Sequence, residues 1–225
     1  MLIYHPPSRP LIPTHSAEDW KAFLAVPEHW KDGRSAKMLA ERWEGSRPNV
    51  PEELHTAFAG TPFEGFIPLV AFPEYQVLLP GGRAASQNDL CVVGRIGAEL
   101  AVIMVEGKVD ESFGPLLSAW LKDASPGKQK RLAFLKETLG LSGPVDGSIR
   151  YQLLHRSASP VLEAVRHRAK YAAMVVHSFS AADACLADYQ TFARFLGMEG
   201  QKGSLVRAPE RDRPELWLGW VTGPC

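Results

Sequence analysis

Cysteine is scarce in this chain, and the three present, Cys91, Cys185 and Cys225, are odd in number and far apart. No CxxC spacing occurs, so neither a zinc site nor a disulfide framework is expected. A reducing, cytoplasmic setting is the expectation. No apolar run approaches the ~20 residues that span a bilayer. The opening MLIYHPPSRPLIP has neither the basic start nor the long apolar centre of a signal peptide, and no membrane partner is expected. Excess charge of one sign is missing too, since 25 Lys and Arg balance 25 Asp and Glu. Nucleic-acid binders usually show a basic excess, so binding of that kind here needs a local basic face. There is no internal repeat and no low-complexity tract. Pro80-Gly81-Gly82-Arg83 lacks the lysine and spacing of a P-loop and reads as a hairpin turn. Ser178 and Ser180 have no GxSxG context, which argues against a serine hydrolase.

What is present is ordinary globular material. The chain is 45% apolar and 22% charged over 225 residues, enough for one domain with a sizeable core. Four prolines make residues 1–13 an extended arm. Ser16, Glu18 and Asp19 start a short helix through about Val26. This arm and helix, residues 1–34, precede a single domain over 35–225. Ser35 opens the helix SAKMLAERWEG, whose buried stripe is Ala36, Leu39, Ala40 and Trp43. Glu44 borders that stripe and Glu41 lies further round. Residues 51–59 form one more short helix.

Residues 65–80 are strand material interrupted by Pro68 and Pro73, clearest over 74–79. Residues 89–95 and 100–108 form an antiparallel pair about a turn at Gly97. Both are nearly continuous apolar runs, so both faces are expected to be covered. A helix follows over 128–139, with Leu132, Leu135 and Leu139 inward. The helical pattern from 149 to about 168 carries Pro160, which predicts a kink or a restart. A buried strand at 171–176, a helix at 186–196 and a strand at 215–221 complete the chain. This order predicts a mixed α/β architecture with helices on both sides of a central sheet.

The segment SQNDLCVVGRIGAELAVIMVEGKVDESF, residues 86–113, carries the chemistry. Asp89 starts its first strand and Glu106-Gly107-Lys108 ends its second. Charge at the end of an apolar strand is expensive to desolvate. Two carboxylates and a lysine brought together suit a hard divalent cation and an activated water. The competing reading is a surface ion pair at a sheet edge. Asp110 and Glu111 are expected to be solvated loop acids. Gln152, His155, Arg156 and Ser159 form a polar stripe at i, i+3, i+4 and i+7. That stripe either reaches the site or is the wet face of a helix. His177 is expected to be a hydrogen-bonded histidine in a strand-end turn, and Cys91 inert core. Trp217 and Trp220 face opposite sides of their strand, with at least one in the core.

The order helix, three-stranded meander, helix, strand, with Asp89 on the second strand and Glu106-Gly107-Lys108 on the third, resembles the PD-(D/E)XK nuclease superfamily. The resemblance covers roughly residues 35–178. Segments 35–40, 106–114 and 150–156 also resemble an uncharacterised bacterial family, with no activity attached. The superfamily implies a restriction-endonuclease-like mixed sheet of core order αβββαβ, here with N- and C-terminal additions. It implies Asp89, Glu106 and the Gly107 carbonyl as ligands of Mg²⁺ or Mn²⁺. Lys108 would orient or deprotonate the attacking water, and Gln152 would be the polar residue on the following helix. Glu44 would be the additional acid on the first helix, with Glu41 second, and His155 and Arg156 would contact metal-bound water or phosphate. Asn88 stands where a proline often precedes the first acid. The implied activity is metal-dependent hydrolysis of nucleic acid, DNA before RNA. The alternatives are a catalytically silent binding or assembly module, with a homo-oligomer formed through the C-terminal elements, and a protein acting on a small phosphorylated metabolite.

Overall fold

A computed structural model describes residues 14–24, 26–209 and 214–224, and the expected proline-rich arm at 1–13 lies outside them. The described residues form one mixed sheet of six strands in the order β1-β2-β3-β4-β6-β5. Strands β1 (Ile67–Val77), β2 (Ser86–Ile96) and β3 (Glu99–Lys108) make an antiparallel meander. Strands β4 (Tyr171–Ser178) and β6 (Glu215–Thr222) extend it in parallel with β3, and β5 (Ser204–Arg207) closes the far edge antiparallel.

Two hydrophobic cores lie on the two faces. A 3₁₀ helix (Ala17–Phe23), α1 (Ser35–Gly45) and α2 (Glu52–Phe58) cover one, through Trp20, Leu39, Trp43 and Leu54. The other is covered by α3 (Leu117–Trp120), α4 (Pro126–Thr138), α5 (Tyr151–His167) and α6 (Leu186–Phe195), through Leu117, Leu135, Leu153 and Phe192. Central strands serve both: Ala101, Ile103 and Val105 of β3 enter the first core, Val102 and Met104 the second. This is why β2 and β3 read as apolar runs rather than as alternating strands. Trp217 and Trp220 likewise divide between the cores, and both are buried.

The structure corrects several expected boundaries. Strand β1 runs through both prolines, because it is an edge strand whose outward N–H positions need no partner. Helix α5 runs unbroken across Pro160. The short helix expected after Ser16 through about Val26 is a 3₁₀ helix and ends earlier, at Phe23. Of the three leucines expected inward in α4, Leu135 and Leu139 are fully buried and Leu132 only partly. The short α3 and β5 had no sequence signal. No helix of the described residues is long and apolar enough to cross a membrane.

Candidate functional site

The site begins with an irregularity in β2. Pairing of β2 with β3 starts at Leu90↔Val105, so the strands part just where Asp89 and Glu106 lie. Pairing of β1 with β2 matches Pro73↔Leu90 and Tyr75↔Asn88 but skips Glu74 and Asp89 between them. Glu74 takes φ of 52°, a left-handed conformation that is costly outside glycine. Cys91 lies in the core under α5, and Ser86, five positions earlier, bonds to residues of α5. A strict two-residue alternation would put them on opposite faces. The kink takes Asp89 out of the alternation and aims it along the gap between β2 and β3.

In that gap Asp89 Oδ2 accepts a hydrogen bond from the Gly107 N–H at 2.8 Å, in place of a ladder bond. A Cβ at Gly107 would stand 3.4 Å from that oxygen and 3.4 Å from the Ser35 carbonyl, which is ordinary contact, so the triplet lies directly against the start of α1. The Asp89 Oδ1 atom has no hydrogen bond among the described residues.

Glu106 and Lys108 continue the α5 face of β3 and are both buried. Glu106 Oε1 accepts from Lys108 Nζ at 2.8 Å and from Gln152 Nε2 at 2.7 Å, and Oε2 accepts from Arg156 Nε at 2.6 Å. Lys108 Nζ also lies 4.9 Å from the centre of the Phe113 ring. Arg156 is anchored in turn, its Nη1 donating to Ser86 Oγ at 3.2 Å. Ser86 Oγ further meets Ser159 Oγ at 2.9 Å and His155 Nδ1 at 2.8 Å. The stripe on α5 is thus a buried polar network rather than a wet face.

Electrostatics separate the two acids. Burial and the neighbouring Glu106 and Glu74 charges push the Asp89 carboxyl well above its usual range. Burial works in the same sense on Glu106, but Arg156 and Lys108 override it and hold that carboxyl down at about 2. Burial would lower the Lys108 ammonium, but Glu106 and Asp89 keep it raised, so it stays charged. Burial, aided by the Arg156 charge, drives His155 well below 6.5 and keeps it neutral.

Asp89 and the Gly107 backbone are the oxygens here that could take a divalent cation, since both Glu106 oxygens already accept hydrogen bonds. Asp89 offers an oxygen with no hydrogen bond, beside a second carboxylate and the Gly107 backbone. Mg²⁺ and Mn²⁺ accept one or two carboxylates and keep several waters. No group of three or more His, Cys, Asp or Glu side chains suited to a metal occurs among the described residues, so such an ion would rely on water and backbone for the rest.

Other expected residues lie elsewhere. The Glu44 carboxylate accepts from Thr14 Oγ1, Trp20 Nε1 and Arg47 Nη1 and ties the N-terminal segment to α1, so the structure does not bring it to the acidic pair. Glu41 is exposed beside Lys37. Of the two loop acids, Asp110 is exposed as expected and accepts from Ser180 Oγ, whereas Glu111 is half-buried and accepts from the Ser35 N–H and hydroxyl at the start of α1. His177 is the hydrogen-bonded strand-end histidine expected. Its Nδ1 accepts from Trp43 Nε1 at 3.3 Å, and its Nε2 lies 2.7 Å from Glu53, which also holds Arg42. Ser86 is the residue that sequence reasoning missed. A lone serine carries no signal until the fold sets it against α5.

Comparison with curated proteins and with solved structures finds no match in either. A family model does match, covering residues 13–225 and described as a domain of unknown function (DUF6946), and the chain belongs to that family.

Proposed function

We propose that this chain is a metal-dependent phosphodiesterase of the PD-(D/E)XK type that hydrolyses nucleic acid, with a restriction-endonuclease-like core formed by α1, β1–β3, α5 and β4. One observation carries the reading: Asp89 and the Glu106-Gly107-Lys108 triplet meet where β2 and β3 part, and Gln152 of the following helix donates to Glu106. Asp89, Glu106 and the Gly107 carbonyl would hold Mg²⁺ or Mn²⁺. Once bound, the cation polarises a phosphoryl oxygen and lowers the pKa of its water. Lys108 stays protonated beside Glu106, so it orients the nucleophile and offsets charge developing on the phosphorus oxygens rather than acting as a base. Gln152 fixes the Glu106 carboxylate.

The test is cleavage of single- and double-stranded DNA, and of RNA, in Mn²⁺ and in Mg²⁺. Wild type is expected to cleave DNA, while Asp89→Ala and Lys108→Ala are folded by circular dichroism and inactive. Cleavage persisting in both variants overturns the reading.

A second reading, a catalytically silent binding module, is favoured by the full occupancy of Glu106, both of whose oxygens already accept hydrogen bonds from charged donors. It predicts no Mn²⁺ binding at Asp89 and Glu106, with or without a phosphodiester.

A further inference from the structure

We propose that Arg156 is a built-in competitor for the metal, so that a divalent cation and a phosphodiester each bind this site more tightly when the other is present. The inference rests on the metal-site reading above and concerns how that site is regulated. Arg156 Nε sits 2.6 Å from Glu106 Oε2. Its Nη1 is held 3.2 Å from Ser86 Oγ, and that hydroxyl is fixed by Ser159 and His155. Lys108 and Gln152 take the other Glu106 oxygen. The carboxylate that would ligate a cation therefore already carries two cationic partners, and arginine does not deprotonate.

Charge arithmetic gives the consequence. With Asp89 ionised, Asp89, Glu106, Lys108 and Arg156 sum to zero, so a dication leaves two uncompensated positive charges in a largely buried cluster. Bringing like charges together at low dielectric is costly. A phosphodiester carries one negative charge and so halves that excess, and its non-bridging oxygens accept from Arg156 and Lys108 as these release Glu106. Arginine matches phosphate oxygens through paired N–H donors. Metal and phosphodiester thereby bind with positive coupling, which by linkage is reciprocal.

The experiment is Mn²⁺ titration calorimetry on the full chain, with and without dimethyl phosphate, a minimal phosphodiester. In wild type, dimethyl phosphate should tighten Mn²⁺ binding by about tenfold, a usual size for such coupling. Arg156→Gln should bind Mn²⁺ alone about tenfold more tightly than wild type and lose most of the coupling. Arg156→Lys, which keeps the charge, should stay close to wild type. Wild-type Mn²⁺ affinity indifferent to dimethyl phosphate overturns the proposal without recourse to a variant. So does an Arg156→Gln protein with wild-type affinity and coupling. Asp89→Ala separates the two levels: lost Mn²⁺ binding there, without coupling in wild type, leaves the metal site standing and removes only the competition. Mn²⁺ binding unchanged in Asp89→Ala, or absent from every protein under both conditions, removes the metal-site reading and the competition with it.

Discussion

Asp89 is the residue whose surroundings serve the fold least well. Its native carboxyl titrates above the ordinary 3.8, so the native state holds that proton more tightly than the unfolded chain. Stability contributed by the protonated form is therefore lost as pH rises from 3.8 through the native value, and at neutral pH the ionised group works against folding. Asp89→Asn keeps an acceptor for the Gly107 N–H and removes the charge. It should raise stability in urea by about 1 kcal/mol, the range in which relieving functional strain pays back. A fall would mark Asp89 as half of a structural ion pair instead. Glu106 predicts the opposite. Glu106→Ala leaves Lys108 and Arg156 buried without their shared carboxylate, and should cost about 3–5 kcal/mol in urea unfolding. At this scale the sequence displayed the acids and the lysine, because charge at the end of an apolar strand stands out. It did not display Ser86, nor the engagement of Glu44 by Thr14, Trp20 and Arg47, because both depend on what lies opposite in space.

Among the elements, the turn between β1 and β2 is held with least room. Gly81 has φ of 83°, and a Cβ there would stand 2.1 Å from the Gly127 carbonyl at the start of α4. Arg131 of α4 donates to the Pro80 and Leu79 carbonyls and fastens the same turn. Gly97, in the turn between β2 and β3, has φ of 58° but open space around it. Gly97→Ala should therefore cost only the left-handed conformation, about 1 kcal/mol. Gly81→Ala should cost about 2–3 kcal/mol more, since the turn must also lift from α4. Equal losses in thermal unfolding would show that the docking contributes nothing. Element positions were largely legible from hydrophobic period and glycine stops, as in α1 and β3. Proline misled where tertiary position overrode it: Pro68 and Pro73 lie on an edge strand, and Pro160 sits inside a helix packed against the sheet.

For the whole molecule, the two faces of the sheet each hold a neutral histidine, His177 fully buried and His155 partly so. His155 stands on α5 with its Nδ1 against Ser86, and His177 is clamped by Trp43 and Glu53 on the α1–α2 face. Burial pushes both below 6.5. A lowered histidine pKa means that the unfolded chain binds more protons between the two values, so stability is fully present above 6.5 and is lost as pH falls below it. The urea midpoint should fall between about pH 7.5 and pH 5.5, and His155→Asn should flatten that fall. A midpoint independent of pH across this window overturns the assignment of both rings as neutral. Glu106 adds a second loss at lower pH: held at about 2 against an ordinary 4.5, it gives stability that disappears as pH drops from 4.5 toward 2.

Local period and the cost of placing charge beside apolar strands were enough to set the order of the main elements, the apolar stripes and the acids and lysine at the ends of β2 and β3. Which partners those groups meet was settled by the packing of the folded chain. The kink at Glu74 and Asp89, the parting of β2 from β3 and the closure of Arg156 and Ser86 around Glu106 arise from contacts between residues up to 70 positions apart, and spacing along one chain carries no record of them.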